Sequence, residues 1–309
     1  MKNLITFDIT KETFNECVAD RQMHLARGAV DPELMNWSDI DSALYYSDIA
    51  PPFMHLYKNG VVPPEKYIEE LKSGSRTIQR LNTQAVQSLL EAGSTAILNR
   101  IDVRQELIRK LCEEVASFTD ADTTANAYLA FSGEGSFGAH WDTHDVMAIQ
   151  LIGKKHWRIY PPTYQFPLPG HTSKSFEAAC PAEPIFDGML EAGDLLYLPR
   201  GWWHEVLPVG ETLHIAVGIY PPNILNYLAW FLEKNLRNHE ELRRSLRPDA
   251  VTTDIISRAC QVLTDQLNNP EVFSNFMDEI SVKRIKPRIP FSLNSLSSLD
   301  KPLEPHPIP

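Results

Sequence analysis

Residues 126–162 read NAYLAFSGEGSFGAHWDTHDVMAIQLIGKKHWRIYPP, and this stretch decides both the fold class and the chemistry. His140 and Asp142 stand two positions apart at the end of one strand-like run and just before the next. A second histidine, His204, follows in LYLPRGWWHEV after a further strand and a turn. Two imidazoles and one carboxylate form a face that holds Fe(II) while leaving coordination positions open. Structural metal sites close their shell instead, so the set points to oxygen chemistry and makes His140, Asp142 and His204 candidate catalytic metal ligands.

Working outward, the periodicity from Ala125 is two. Strands are expected at Ala125–Phe131, Val146–Ile152, His156–Tyr160, Leu195–Pro199 and Thr212–Tyr220, with Gly133, Gly135, Gly138, Gly153, Gly193 and Gly201 as punctuation. Many short strands with glycine turns predict a mostly β core of sandwich or barrel type. In Thr212–Tyr220, Leu213, Ile215, Val217 and Ile219 share one face, while His214, Ala216 and Gly218 share the other. Small residues around a lone histidine leave open space, so that second face is expected to line a cavity. Asn126 and Tyr128 likewise point together and need polar partners: a ligand or ordered water. Lys155, Trp157 and Ile159 share a face. An inward Lys155 implies a carboxylate ligand, because a buried lysine needs an anion; an outward one is merely solvated.

Upstream, the pattern is mixed α/β. A short strand is expected within Met23–Val30, and helices at Asp31-Pro32, Pro64–Lys72, Thr83–Leu90 and Val103–Phe118. Downstream of Pro222, helices are expected at Ile224–Leu246, Ala250–Leu267 and Pro270–Val282, followed by a Pro-rich extended tail. The expected organisation is an oxygenase domain over 1–222 with its core at about 96–222, a helical region over 223–286 and the tail over 287–309.

Composition narrows the class. With 29 basic against 40 acidic residues and a formal charge of −11, sequence-independent nucleic-acid binding is disfavoured, whereas a basic protein or peptide partner is compatible. Cys17, Cys112, Cys180 and Cys260 form no C-x-x-C pair, the N-terminus lacks a signal-peptide pattern, and the most apolar window is cut by Pro221-Pro222. A cytoplasmic protein that spans no membrane is expected. His144, Asp145, Arg200 and the pair Trp202-Trp203 lie near the triad. They read as supporting residues, Arg200 as a surface ion pair and the tryptophans as packing under the turn.

The segments NAYLAFSGEGSFGAHWDTHDVMAIQLIGKKHWRIYPP, LEAGDLLYLPRGWWHEV and TLHIAVGIYPP together resemble the JmjC-type branch of the cupin superfamily, specifically the bacterial ribosomal oxygenases. The resemblance spans about Ala96–Pro222. It implies a double-stranded β-helix, a cupin or jelly-roll fold, with N-terminal α/β elements and C-terminal helices. It implies Fe(II) on His140, Asp142 and His204, and Lys155 paired with the distal carboxylate of 2-oxoglutarate. Asn126, Tyr128 and His214 would line the co-substrate pocket. The implied activity is O₂-dependent hydroxylation of a protein or peptide side chain, releasing succinate and CO₂. Some relatives carry a helical dimerisation region followed by a winged helix; the chain after Pro222 has room for the first, giving a possible homodimer. Alternatives are an oxygenase acting on a small molecule or peptide natural product, a cupin that does not use 2-oxoglutarate, and a non-catalytic binding module.

Overall fold

The computed structural model describes residues 3–46, 51–132, 137–243, 245 and 252–283. Its strands are β1 (His24–Ala26), β2 (Met54–Tyr57), β3 (Ile68–Ser73), β4 (Arg76–Leu81), β5 (Thr95–Leu98), β6 (Asp122–Ala130), β7 (Asp145–Tyr160), β8 (Phe186–Glu191), β9 (Leu195–Leu198) and β10 (Trp203–Tyr220). Eight of them form one sheet in the order β1-β9-β7-β10-β6-β5-β2, with β8 added on β7, and every pairing is antiparallel. β3 and β4 make a separate hairpin.

Two long strands organise the sheet. The first half of β7 pairs with β9 and the second with β8, while β10 runs beside both halves. The far half of β10, Thr212–Tyr220, also pairs with β6. A sheet built this way is a double-stranded β-helix of the cupin, jelly-roll type, as the resemblance implied.

Strand alternation separates core from cavity. Leu213, Ile215, Val217 and Ile219 are buried, joining Ala125, Ala127 and Leu129 of β6 and Ile108, Leu111 and Val115 of the helix Glu106–Thr119. Each leucine, isoleucine or valine among them taken from water contributes about 1.5–3 kcal/mol. The helix begins where the Gln105 side chain accepts from Leu107 N–H at 2.6 Å and ends at Asp120 in the left-handed region, φ 51°.

Several expectations need correction. Val146–Ile152 and His156–Tyr160 are one strand, because Gly153 is not a turn. It sits at φ +63° inside β7, where a Cβ would lie 2.0 Å from the Glu211 carbonyl oxygen. Glycine here admits a close approach at the irregularity in β10 between Val209 and Leu213. The strand expected at Thr212 starts at Trp203, so His204 is already on it. Pro64–Lys72 is not a helix: one short turn at Pro64–Lys66 leads into β3, whose partner β4 provides the hydrogen bonds. No helix starts at Asp31-Pro32; Asp31 Oδ1 accepts from Glu33 N–H in a local turn, and the helix begins at Trp37. β2 and β5 complete the sheet edge and were not foreseen.

The chain divides into two compact units, Met1–Pro221 and Pro222–Pro309. The second contains helices Ile224–Lys234, Thr252–Leu267 and Pro270–Lys283 around Tyr227, Phe231, Val272 and Phe276. Asn223 and Asn226 close a reciprocal cap at the first of these, and Trp230 Nε1–H donates to Glu279 at 2.7 Å. That helix stops at Lys234 rather than continuing to Leu246, which, like Ala250, Gly133, Gly135 and the tail 287–309, lies outside the described residues.

Candidate active site

His140 and His204 meet in a two-way antiparallel bridge. His140 N–H donates to the His204 carbonyl at 3.0 Å, and His204 N–H to the His140 carbonyl at 2.8 Å. A third backbone bond, from Gly201 N–H to the Asp142 carbonyl at 3.0 Å, ties the turn before β10 to the same segment. The bridge puts both imidazoles on one side, with ring centroids 4.3 Å apart. The ligand atoms of His140, Asp142 and His204 all lie within 4.8 Å of one another, and His204 Nε2 is 3.7 Å from Asp142 Oδ2.

Backbone carbonyls set the tautomers. His140 Nδ1 lies 3.0 Å from the Gly138 carbonyl, and His204 Nδ1 3.1 Å from that of Trp202. A carbonyl can only accept, so both Nδ1 atoms carry the proton and both Nε2 lone pairs are free for a cation. Burial, aided by His140, pushes His204 down to about 4. Burial opposes the charge on Asp142, but the imidazoles of His204, His140 and His144 outweigh it and hold the carboxyl below its ordinary range. His204 is thus held as a neutral imidazole and Asp142 as a carboxylate, the protonation states that metal binding requires of them.

These groups open into a cavity of about 380 Å³. Lys155 lies in it, only 3% exposed, facing inward with Trp157 rather than outward to solvent. Its Nζ donates to His214 Nδ1 at 2.7 Å and lies 3.3 Å from the Tyr128 carbonyl. No carboxylate among the described residues is within ion-pair reach of it, and burial lowers it to about 7. Because Nδ1 of His214 accepts, the ring proton of that neutral imidazole sits on Nε2. Burial and then Lys155 keep His214 well below its ordinary value. Tyr128 stacks on His214 at 4.9 Å and 5°, and burial raises its phenol well above the ordinary value. Asn126 Oδ1 accepts from Arg100 N–H at 3.0 Å. All seven candidate residues line this one cavity.

Asp145 starts β7 and plays the supporting role expected of it, and Arg200 does more than form the surface ion pair expected. Arg200 pairs with the half-exposed Asp20 at 2.9 Å and also lies against the buried Asp145, which accepts from Arg200 N–H at 3.0 Å, Arg200 Nη1 at 3.1 Å and Tyr197 Oη at 3.0 Å. This fastens the turn preceding His204 to the start of β7. The sequence reading missed the far wall of the cavity, formed by His55 and Tyr57 of β2 and by Thr95, Ile97 and Asn99. Its signal was present in the alternation Met54-His55-Leu56-Tyr57, whose odd members face the cavity while Met54 and Leu56 are buried.

With the fold and site described, comparison with known proteins becomes specific. Residues 96–227 match the JmjC domain family. It is 35% identical over 147 residues to a bifunctional lysine-specific demethylase and histidyl-hydroxylase NO66 of Drosophila mojavensis, covering 45% of this chain and 17% of that one. It is 44% identical over 117 residues to ribosomal oxygenase 1 of Gallus gallus, covering 36% and 19%. The chain thus spans less than a quarter of the length of these relatives. Among solved structures, YcfD, a ribosomal oxygenase from Escherichia coli in complex with cobalt and 2-oxoglutarate, superposes with a TM-score of 0.57 at 17% identity. That match covers 96% of this chain and 78% of that one and shows a common fold.

Proposed function

We propose that this protein is an Fe(II)- and 2-oxoglutarate-dependent oxygenase that hydroxylates a protein or peptide side chain, releasing succinate and CO₂. One observation carries the reading: a His-Asp-His cluster of metal-ligand geometry shares a cavity with a buried lysine that has no carboxylate partner among the described residues. The residues fit the groups. His140 Nε2, His204 Nε2 and an Asp142 oxygen would hold the ferrous ion, leaving the remaining positions open. When bound, the ion together with 2-oxoglutarate and O₂ supplies the oxidising power.

The chain's own groups place and isolate that chemistry. Asp142 offsets part of the charge of a divalent ion, and a dicarboxylate makes the centre anionic. Lys155 answers the excess charge at the distal end and fixes the co-substrate by a charge-assisted hydrogen bond. His214 Nε2–H, the Tyr128 phenol and Asn126 stand beside it as further polar contacts, and Trp157 closes the apolar side. The wall of His55, Tyr57 and Phe137 is left for the substrate.

A net charge of −11 favours encounter with a basic segment, and relatives named as a histidyl-hydroxylase and a ribosomal oxygenase make ribosomal proteins the first substrates to assay. Cysteines 17, 112, 180 and 260 are all free, in keeping with a cytoplasmic setting, and no helix among the described residues is long and apolar enough to cross a membrane. The helical region 223–286, where Leu225, Leu232, Ile256 and Phe273 are exposed, would form a homodimer. The test is incubation with Fe(II), 2-oxoglutarate, O₂ and basic ribosomal peptides. The reading expects succinate formation coupled to a peptide mass gain of one oxygen atom. Succinate coupled only to an oxidised small molecule would move the assignment to a biosynthetic oxygenase. No succinate from folded, iron-loaded protein would end it.

A further inference from the structure

The two metal-ligand histidines are each flanked by a tryptophan, and the backbone bridge between them gives that arrangement a consequence. His140 and His204 face the cavity from paired strands, so Trp141 and Trp203, one residue on and one residue back, face the opposite side. Both are buried, at 3% and 0% exposure, and their rings meet edge to face at 6.3 Å. What they pack against is the connection between β7 and β8. Trp141 stacks on Tyr164 at 5.9 Å and lies 6.1 Å from Phe176, while Tyr164 stacks on Phe176 at 5.0 Å. Trp203 Nε1–H donates to Thr163 Oγ1 at 2.9 Å. Gly201, at φ +84°, presses on the same segment: a Cβ there would lie 2.6 Å from the Tyr164 carbonyl oxygen.

We propose that the β7–β8 connection is a clamp for the metal centre, and that Trp141 and Trp203 are its positioning residues, gripped by Tyr164 and Thr163. The inference rests on the reading of His140, Asp142 and His204 as metal ligands. Neither tryptophan touches the ion. Each fixes the backbone on which a ligand sits, and Trp141 stands between two of the three. Strand alternation supplies the coupling through the backbone, because a rotation of the chain that carried a tryptophan off this side would turn its neighbouring histidine away from the cavity. The clamp grips Trp141 through ring packing alone, since its Nε1 has no hydrogen-bond partner among the described residues. It grips Trp203 through packing and one hydrogen bond.

The test uses the full chain and Co(II) as the probe, with Co(II) affinity and its visible absorption as readouts alongside thermal unfolding. Tyr164→Ala removes the stacking wall, Thr163→Val removes the acceptor, and Thr163→Ser restores it. Val115→Ala, in the main core away from the clamp, is the control for destabilisation alone. The proposal expects Tyr164→Ala to weaken Co(II) binding by about 10- to 100-fold, the usual loss when support behind metal ligands is removed, and to alter the Co(II) spectrum. Thr163→Val should do the same to a smaller degree and Thr163→Ser should reverse it, while Val115→Ala lowers the unfolding temperature without changing the spectrum. If Tyr164→Ala does not fold, the threonine pair decides. Unchanged affinity and spectrum in folded variants would overturn the clamp. Wild-type protein that binds no Co(II) would instead overturn the metal reading beneath it.

Discussion

Lys155 Nζ lies 2.7 Å from His214 Nδ1 in a buried cavity, so the lysine is held by a neutral imidazole. Burial of that lysine makes co-substrate binding proton-linked. In the free protein burial lowers Lys155 to about 7 from its ordinary 10.5. A bound dicarboxylate favours the charged form and raises the value again, so between these limits binding takes up a proton. Affinity for 2-oxoglutarate is predicted to fall as pH rises above about 7. Calorimetry of the Mn(II)-loaded protein in buffers of different ionisation enthalpy should report proton uptake, and Lys155→Arg should abolish it. A pH-independent affinity between 7 and 9 would contradict the assignment.

The same residue bears on stability, with the opposite trend. An unfolded Lys155 keeps its proton up to about pH 10.5, whereas the folded one keeps it only to about 7. The unfolded state therefore binds more protons in that window, and this residue's contribution makes the fold more stable as pH rises through it. Lys155→Met should flatten that part of the profile in urea denaturation of metal-free protein. An identical slope in both proteins would count against a buried, neutral lysine.

Gly153 should not tolerate a side chain. Gly153→Ala places a Cβ against the Glu211 carbonyl and imposes the left-handed backbone on a residue that resists it. A loss of about 2 kcal/mol or more is expected from denaturant unfolding. A change below about 0.5 kcal/mol, ordinary for a surface substitution, would mean that the two strands separate freely there.

Asp145 is predicted to matter more than its distance from the chemistry suggests. Asp145→Ala removes the acceptor for three hydrogen bonds and leaves Arg200 with Asp20 as its remaining acidic partner. Breaking a buried charge pair from one side costs about 3–5 kcal/mol. Chemical denaturation measures it, and a loss under about 1 kcal/mol would show that the pair is effectively solvated.

What was legible in the sequence follows from how local each signal is. Alternation in Thr212–Tyr220 separated Leu213, Ile215 and Val217 from His214, Ala216 and Gly218, and the structure puts the first set in the core and the second on the cavity. H-x-D and the later histidine were readable as one set because a two-residue spacing at a strand end keeps side chains on one face. Lys155 was ambiguous: its face follows from period two, but which face is inward depends on β8 and β10 packing across it. Gly153 misled because a glycine that permits close approach reads the same as one that turns the chain. Pro64–Lys72 misled because the hairpin takes its hydrogen bonds from β4, beyond the window that suggested a helix. The β2 wall was missed because four residues make a weak periodic signal, although His55 and Tyr57 carry it.

The most direct test of the central claim is an anaerobic titration of the protein with Fe(II) and 2-oxoglutarate, following the visible charge-transfer band of the chelate. Wild type is predicted to develop the band and His140→Ala to lose it. Lys155→Ala should show it only at co-substrate concentrations raised by roughly 10- to 100-fold, the cost of one charge-assisted hydrogen bond. A folded, iron-loaded wild type that develops no band, or a Lys155→Ala variant with unchanged affinity, would contradict the account.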